Sequence, residues 1–296
     1  MGPLTEIGQA VADVAGRIGP STVGIGNRWR GGSGVVVAKG RILTSAHNLH
    51  GDEARIYFAD GREATGRVLG IDLDGDLAVL EAETGSTVPL EWGDGTALMA
   101  GTPVIALGNP AGNGARATVG FVSSVGRSFR GPHGRPVGGA VEHTAPLKSG
   151  SSGGPIVDAD GKLLGINTLR LGGGFYLAIA ADGALRSRVD ALGRGEAPQR
   201  RRLGIGIAPG HVARQLRRAV GLPPRDGLLV RDVEEDSPAA KAGIVEGDLI
   251  VAAGGADIKD ADDLFGALAA AAPDAALSLT VVRGTEERTV EVAPGA

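Results

Sequence analysis

Residues 150–155 read Gly150-Ser151-Ser152-Gly153-Gly154-Pro155, and an apolar run, Pro155-Ile156-Val157, begins on the last of them. Glycines at this density let a backbone turn tightly and carry its N–H groups close to a bound atom. Two or three such groups beside a hydroxyl form an oxyanion hole next to a nucleophile. In a chain with 51 glycines the same letters also describe a plain turn. What separates the two readings is whether the chain supplies a base, an orienting acid and a fold to hold them.

Working outward, His47 closes the run Ile42-Leu43-Thr44-Ser45-Ala46-His47. Asp76 stands in Asp72-Leu73-Asp74-Gly75-Asp76-Leu77-Ala78-Val79-Leu80, where it opens an apolar strand. Alone, the histidine reads as structural and the aspartate as a solvated loop residue. Together they complete a set. A hydroxyl nucleophile needs an imidazole to take its proton and a carboxylate to hold that imidazole in the right tautomer. The three occur in the order His47, Asp76, Ser152, each at a strand edge or tight turn. Ser151 is the alternative hydroxyl. An imidazole base must be neutral to accept a proton, so activity is expected to fall on acidification.

The surroundings are β-rich. Short apolar or β-branched runs at 22–25, 34–38, 42–45, 54–58, 65–71 and 77–82 are separated by Gly-rich turns, and more follow at 103–107, 117–125, 139–144, 155–158, 163–168 and 175–179. About a dozen short strands with few helical patterns predict an antiparallel barrel or a sandwich pair. Ahead of them, Leu4, Ile7, Ala10, Val11, Val14 and Ile18 mark one face of an amphipathic helix ended by Gly19-Pro20. Residues 182–193 read as a closing helix. Residues 193–202 are polar and turn-rich, as in an interdomain linker. From Leu203 the texture is mixed, with strands at 203–207, 227–233, 249–253, 276–282 and 287–292 and helices at 212–220 and 260–271. Ser237-Pro238 opens a further short helix as N-cap and first residue.

Composition narrows the function classes. At 296 residues the chain is long enough for about two cores. A net charge of -4 argues against a nucleic-acid partner. The absence of cysteine removes thiol nucleophiles, thiolate metal sites and disulfides. No apolar run approaches the ~20 residues of a membrane span. The first residues lack the pattern of an export signal, so the chain as written reads as cytoplasmic, or as periplasmic if such a signal was removed. Asp72, Asp74, Asp76 and Glu83 have the spacing of calcium ligands, but Leu77 stands where that loop needs glycine. His50, His133 and His143 show no metal-ligand spacing and read as surface or pocket-rim residues. No metal and no cofactor is called for.

These residues carry a resemblance. The segments 32–37 (GSGVVV), 42–47, 75–80, 101–110 (GTPVIALGNP), 150–155, 165–168 and 176–179 are similar to those of the HtrA/Deg family of serine proteases, and the similarity runs over 21–296. It implies a mainly β fold: a chymotrypsin-like double six-stranded antiparallel β-barrel followed by a smaller α+β PDZ domain. The expected layout is a helical segment at 1–20, a protease domain at 21–194, a linker at 195–202 and a PDZ domain at 203–296. By the resemblance Ser152 is the nucleophile, His47 the general base and Asp76 its orienter, with Gly150, Ser152 and Ser151 as oxyanion-hole donors. The implied activity is ATP-independent endoproteolysis of unfolded or misfolded protein, with a homotrimer as the family's common assembly.

The departures are as specific. The usual Asn before the Ala-His pair is Ser45, the valines after the histidine are Asn48 and Leu49, and the Asn before the nucleophile is Ser151. The acid-containing run before the serine is replaced by residues 142–149 (EHTAPLKS). These changes bear on the specificity pocket, which is expected from Pro146, Leu147, Lys148, Ile166, Asn167 and Thr168. With no acid there, cleavage after small or medium aliphatic residues is expected, and Lys148 would repel basic side chains. Residues 127–137 (RSFRGPHGRPV) read as a basic loop, the segment that in similar proteases senses a bound partner. In the second domain Leu203, Gly204, Ile205 and Ile207 resemble a carboxylate-binding loop and peptide-accepting strand, with Leu264 and Leu268 on the facing helix. Arg200-Arg201-Arg202 reads as solvated linker. The competing reading is a PDZ-bearing chaperone or scaffold with a latent protease domain. A non-proteolytic esterase fits the PDZ domain poorly.

Overall fold

A computed structural model of the chain describes residues 2–26, 31–131, 136–196, 202–271 and 275–294. The chain forms two compact units, Met1–Pro198 and Gln199–Ala296. The first opens with α1 (Pro3–Ile18) and then lays down β1 (Thr22–Ile25), β2 (Gly32–Ala38), β3 (Arg41–Thr44), β4 (Glu53–Tyr57), β5 (Glu63–Asp72) and β6 (Leu77–Glu81). These close into a barrel in the order β1-β2-β3-β6-β5-β4. A second barrel, β10-β11-β12-β9-β8-β7, is built from β7 (Pro103–Gly108), β8 (Arg116–Arg130), β9 (Pro136–His143), β10 (Pro155–Val157), β11 (Leu163–Arg170) and β12 (Tyr176–Ala180). Helix α2 (Gly183–Gly193) ends the unit, its first turn capped by the Asp182 carboxylate accepting from the Leu185 N–H. The double six-stranded barrel is the fold the family resemblance implies, and it decides between the barrel and sandwich readings that strand spacing alone left open.

The strand sequences explain how two barrels share one body. Successive side chains of a strand point to opposite faces. Val36, Ile42 and Leu80 therefore fill the first barrel, while Val35, Leu43 and Val79 face out of it. In the second barrel Val104, Ala106 and Ile156 point inward, and Ile105, Leu107 and Val157 join Val35, Leu43 and Val79 in a common core. Both faces are buried, so these strands read as continuous apolar runs rather than as alternation. Helix α1 packs Val11, Val14 and Ile18 on that core, with Val14 buried, while Ile7 stays half exposed.

One expected loop is strand instead. Arg127–Arg130 continue β8, and Pro136 and Val137 begin β9. The pairing Phe129↔Val137 lies within this extension and both side chains are buried, which draws the hairpin out beyond where a run of Arg, Gly and Pro suggests it ends. His133 and the rest of 132–135 lie outside the described residues, as do Asn27–Arg30 and the linker residues 197–201.

The second unit contains β13 (Ile205–Ala208), α3 (Gly210–Ala219), β14 (Leu228–Val233), α4 (Pro238–Lys241), β15 (Leu249–Ala253), β16 (Ala256–Asp257), α5 (Ala261–Ala270), β17 (Leu277–Arg283) and β18 (Glu286–Val292). Its sheet runs β13-β14-β15-β17-β18, with β16 paired to β15, so β13 is an outer strand. Helix α5 begins on a capping box in which Asp260 and Asp263 accept each other's backbone N–H groups. Asp248 is fully buried and receives the Arg283 fork at 2.8 and 2.9 Å together with the Val245 N–H at 3.0 Å. Burial alone would raise its pKa, and the hydrogen bonds from Arg283 and Val245 reverse the direction and hold it below the ordinary carboxylate value.

Candidate active site

The first barrel supplies the His–Asp pair and the second the serine. His47 sits in a short 3₁₀ turn, Ala46–Asn48, directly after β3. Asp76 precedes β6 in the left-handed region at φ 54, which Asp tolerates better than most side chains, and it is 1% exposed. This turn aims the carboxylate back at the histidine. His47 Nδ1 lies 2.9 Å from both Asp76 oxygens. Oδ1 also accepts the His47 N–H at 3.1 Å, and Oδ2 accepts the Thr168 hydroxyl at 2.6 Å. A carboxylate can only accept, so Nδ1 carries the proton and Nε2 is left with its lone pair.

Ser152 is brought to this pair through two links. Its carbonyl accepts from the Asn48 amide at 2.9 Å, next to the histidine in sequence. Its hydroxyl donates to the Thr168 carbonyl at 2.9 Å, so Thr168 touches both Asp76 and Ser152. The hydroxyl is therefore held on a backbone carbonyl and not on the imidazole. Gly150 at φ 88 and Gly153 at φ 86 make the turns on either side. A Cβ at Gly153 would collide with the Ser33 carbonyl, which fixes glycine there by space as well as by φ.

The expected oxyanion donors divide. Among the described residues the Gly150 and Ser152 N–H groups have no protein acceptor. Ser151 does not fit that role: its N–H donates to the Lys148 carbonyl at 3.1 Å, closing a turn over 148–151. Its side chain is also buried, unlike that of Ser152.

Beside Ser152 lies a cavity of about 140 Å³. Of the residues expected to line it, Leu147, Lys148, Asn167 and Thr168 do so. Ile166 does not, because it points the other way along β11 into the shared core. Pro146 lies outside it, and its carbonyl accepts the Thr118 hydroxyl at 2.7 Å. Leu169, at the end of the strand 166–169 expected to form one wall, also lines it, whereas sequence reasoning missed Arg170, Tyr176 and Leu177. The register Arg170↔Tyr176 would have been needed to find them, since β12 contributes to the wall only through pairing. No lining residue is acidic, and the Arg170 guanidinium lies 6.0 Å from the Tyr176 ring centre.

His143, read as a surface or rim residue, is fully buried. Its Nε2 lies 3.0 Å from Asn167 Oδ1, its ring stacks on Tyr176 at 5.8 Å, and among the described residues its Nδ1 has no partner. Burial pushes its pKa down to about 4, against a smaller upward effect from Asn167. Through Asn167, whose amide donates to the Gly154 and Pro155 carbonyls at 3.0 and 3.2 Å, it backs the segment after the serine. The carboxylates with calcium-like spacing are engaged otherwise: Asp72 accepts the Gly75 N–H and pairs with Arg188, and Asp76 serves His47.

In the second unit Leu203 and Leu264 are 6% and 2% exposed and belong to the core, so neither is an open pocket residue. Ile205, Ile207 and Leu268 are the partly exposed members beside them. The Leu203 and Gly204 carbonyls accept from Ala239 and Glu234, which fixes the segment leading into β13. Arg202 pairs with Glu234 at 3.2 Å, while Arg200 and Arg201 lie outside the described residues.

Two barrels with a His–Asp pair on one and a glycine-flanked serine on the other define a chymotrypsin-like peptidase unit, and the outer-strand α+β unit is of PDZ type. The chain matches the trypsin-like peptidase domain over residues 32–166 and the PDZ domain over 203–293. It is 34% identical over 269 residues to a Brucella suis protein described as "Probable periplasmic serine endoprotease DegP-like", covering 88% of this chain and 52% of that one. A protein of the same description from Halomonas elongata is 32% identical, covering 89% and 56%. The chain thus spans about half the length of these curated relatives. Among solved structures it resembles the HtrA-type protease AlgW with a decapeptide (TM-score 0.75, 25% identity, 96% of this chain and 98% of that one). It also resembles a serine endoprotease from Yersinia pestis (TM-score 0.73, 26% identity, 97% and 98%). The chain belongs to the HtrA/Deg family of serine proteases.

Proposed function

We propose that the protein is an ATP-independent serine endopeptidase that cleaves unfolded or misfolded polypeptides. The observation that carries this is the His47 Nδ1–H held by both Asp76 oxygens at 2.9 Å, which leaves Nε2 free to act as base. In the proposed reaction the Ser152 hydroxyl turns from the Thr168 carbonyl to His47. Its oxygen bonds to the scissile carbonyl carbon as its proton passes to Nε2. The Gly150 and Ser152 N–H groups receive the oxyanion, each contributing on the order of 10²–10³ in rate. The peptide C–N bond then breaks as His47 returns the proton to the leaving amine, and a water activated by His47 hydrolyses the acyl-enzyme.

The apolar lining from Leu147 and Leu177, with Lys148 and Arg170 also present, supports cleavage after small or medium aliphatic residues and rejection of basic ones. The outer strand β13 with Ile205, Ile207 and Leu268 supports capture of hydrophobic C-terminal peptides by strand addition. The relatives described as periplasmic favour an extracytoplasmic setting and give the cytoplasmic reading no support. No described helix is long and apolar enough to cross a membrane. Exposed Ile7 and Phe121 are compatible with a homotrimer, which sedimentation would test.

The test is digestion of unfolded casein without ATP, with cleavage sites mapped by mass spectrometry beside Ser152→Ala. Cleavage after aliphatic residues that disappears in the variant is expected. Cleavage after Arg or Lys would overturn the pocket assignment. One observation favours a second reading, a PDZ-bearing chaperone or scaffold with a latent protease: the Ser152 hydroxyl rests on Thr168. A serine-directed phosphonate that fails to label Ser152 under every activating peptide would select it.

A further inference from the structure

The nucleophile segment is tied to the first barrel by a set of buried polar groups that the proposed chemistry does not use. Ser33 is fully buried in β2. Its N–H donates to the Ser152 carbonyl at 2.8 Å and its hydroxyl to the Gly150 carbonyl at 2.8 Å. The same hydroxyl accepts the Asn109 N–H at 2.9 Å, so its direction is fixed from behind. Asn48, nine-tenths buried, provides the second donor to the Ser152 carbonyl at 2.9 Å. The orientation of the Asn48 amide is determined by its neighbours. Its nitrogen lies 3.0 Å from Thr44 Oγ1, and that hydroxyl already donates to the Ser33 carbonyl at 2.6 Å. Thr44 Oγ1 and the Ser152 carbonyl can therefore only accept, and the nitrogen must face them.

The consequence is geometric. Residues 150 and 152 present the two unengaged N–H groups, and each has its own carbonyl pinned by the first barrel. A glycine-flanked turn has several accessible conformations. Pinning both carbonyls from one side restricts that choice. Asn48 adds a direct linkage, because it follows His47 and the short turn holding both is bonded to the backbone of Ser152.

We propose that Asn48, acting with Ser33, is a positioning residue that locks the backbone of the nucleophile segment to the base-bearing turn through the carbonyl of Ser152. The inference rests on the reading of Ser152 as nucleophile. Asn48→Val keeps similar bulk and removes the donor. Its kcat and its rate of phosphonate labelling at Ser152 are expected to fall about 10- to 100-fold, with KM within about twofold of wild type, because a misplaced nucleophile costs rate rather than binding. Hydrogen exchange of the peptide covering 150–155 should rise about tenfold while that covering 163–170 stays unchanged. Thermal unfolding is measured alongside, and Asn48→Ser, whose hydroxyl is too short to reach, replaces the valine if that variant does not fold. Wild-type labelling together with wild-type exchange at 150–155 would overturn the proposal, as would a KM rise with kcat intact. If the wild-type protein itself never labels at Ser152, the nucleophile assignment falls, and the exchange measurement alone decides whether Asn48 holds the segment.

Discussion

At the scale of single residues, Asp76 does three things with two oxygens. It accepts the His47 ring N–H, the His47 backbone N–H and the Thr168 hydroxyl. Asp76→Asn keeps the shape but offers an amide donor to Nδ1, which favours the tautomer with the proton on Nε2. We expect kcat to fall by about 10⁴-fold with little change in thermal stability, measured on a peptide substrate and by calorimetry. His143 makes a different prediction. Its folded pKa is about 4, below the ~6.5 of an unfolded imidazole. Between these values the unfolded chain binds the extra proton, so stability rises with pH. The contribution is full above about pH 6.5, declines on acidification, and is gone below about 4, amounting to about 3 kcal/mol. Urea unfolding of the first unit at several pH values should show this slope, and His143→Gln should flatten it. An unchanged slope in the variant would assign the acid sensitivity elsewhere.

At the scale of elements, two features carry most of the organisation. In the first unit, strands with both faces buried build two barrel interiors and a shared core from the same sequence runs. In the second, the Asp248–Arg283 pair joins the start of β15 to the end of β17, and the Arg283 fork also donates to the Gly243 carbonyl at 2.8 Å. Arg283→Met should leave a fully buried carboxylate without its countercharge. We expect a loss on the order of 3 kcal/mol in the second unit, read as an earlier unfolding step, with casein cleavage by the first unit unaffected at low temperature. The double substitution with Asp248→Leu should recover part of it, because the uncompensated charge is then gone.

At the scale of the whole molecule, peptidase and peptide-binding units lie on one chain, and the proposed function assigns them separate ligands. Leu268→Glu places a charge on α5 against the same core that Ile205 and Ile207 of β13 cover. Titration calorimetry with a peptide ending in a hydrophobic residue should show affinity at least 10-fold weaker, with phosphonate labelling of Ser152 in the absence of peptide unchanged. Undiminished affinity would move the peptide site away from β13 and α5.

Much of this is legible in the sequence alone. The order His47, Asp76, Ser152, the glycines around the serine and the dozen short strands lie in local chemistry and spacing, and local chemistry is what a linear chain displays. Most strand limits were legible too, but Phe129 and Val137 extend a hairpin through residues that look like loop, the strand expected from Leu203 begins at Ile205, and the short β16 was not foreseen. The remainder depended on contacts between distant segments. Ile166 and Thr168 are two positions apart, yet one faces the core and the other bonds Asp76, because a bulge between Asn167 and Leu169 resets the alternation of β11. Tyr176 reaches the cavity only through its pairing with Arg170, and His143 is buried only because β9 lies between β8 and β12. Asn48 looked like a change to the pocket and became a bond to the Ser152 carbonyl, 104 positions away. The sequence by itself determined which groups are available for the chemistry and the kind of fold that carries them. Only the tertiary structure decided which carbonyls and hydroxyls those groups meet, since a hydrogen bond depends on distance and direction in space, and barrel closure sets both between segments the chain keeps far apart.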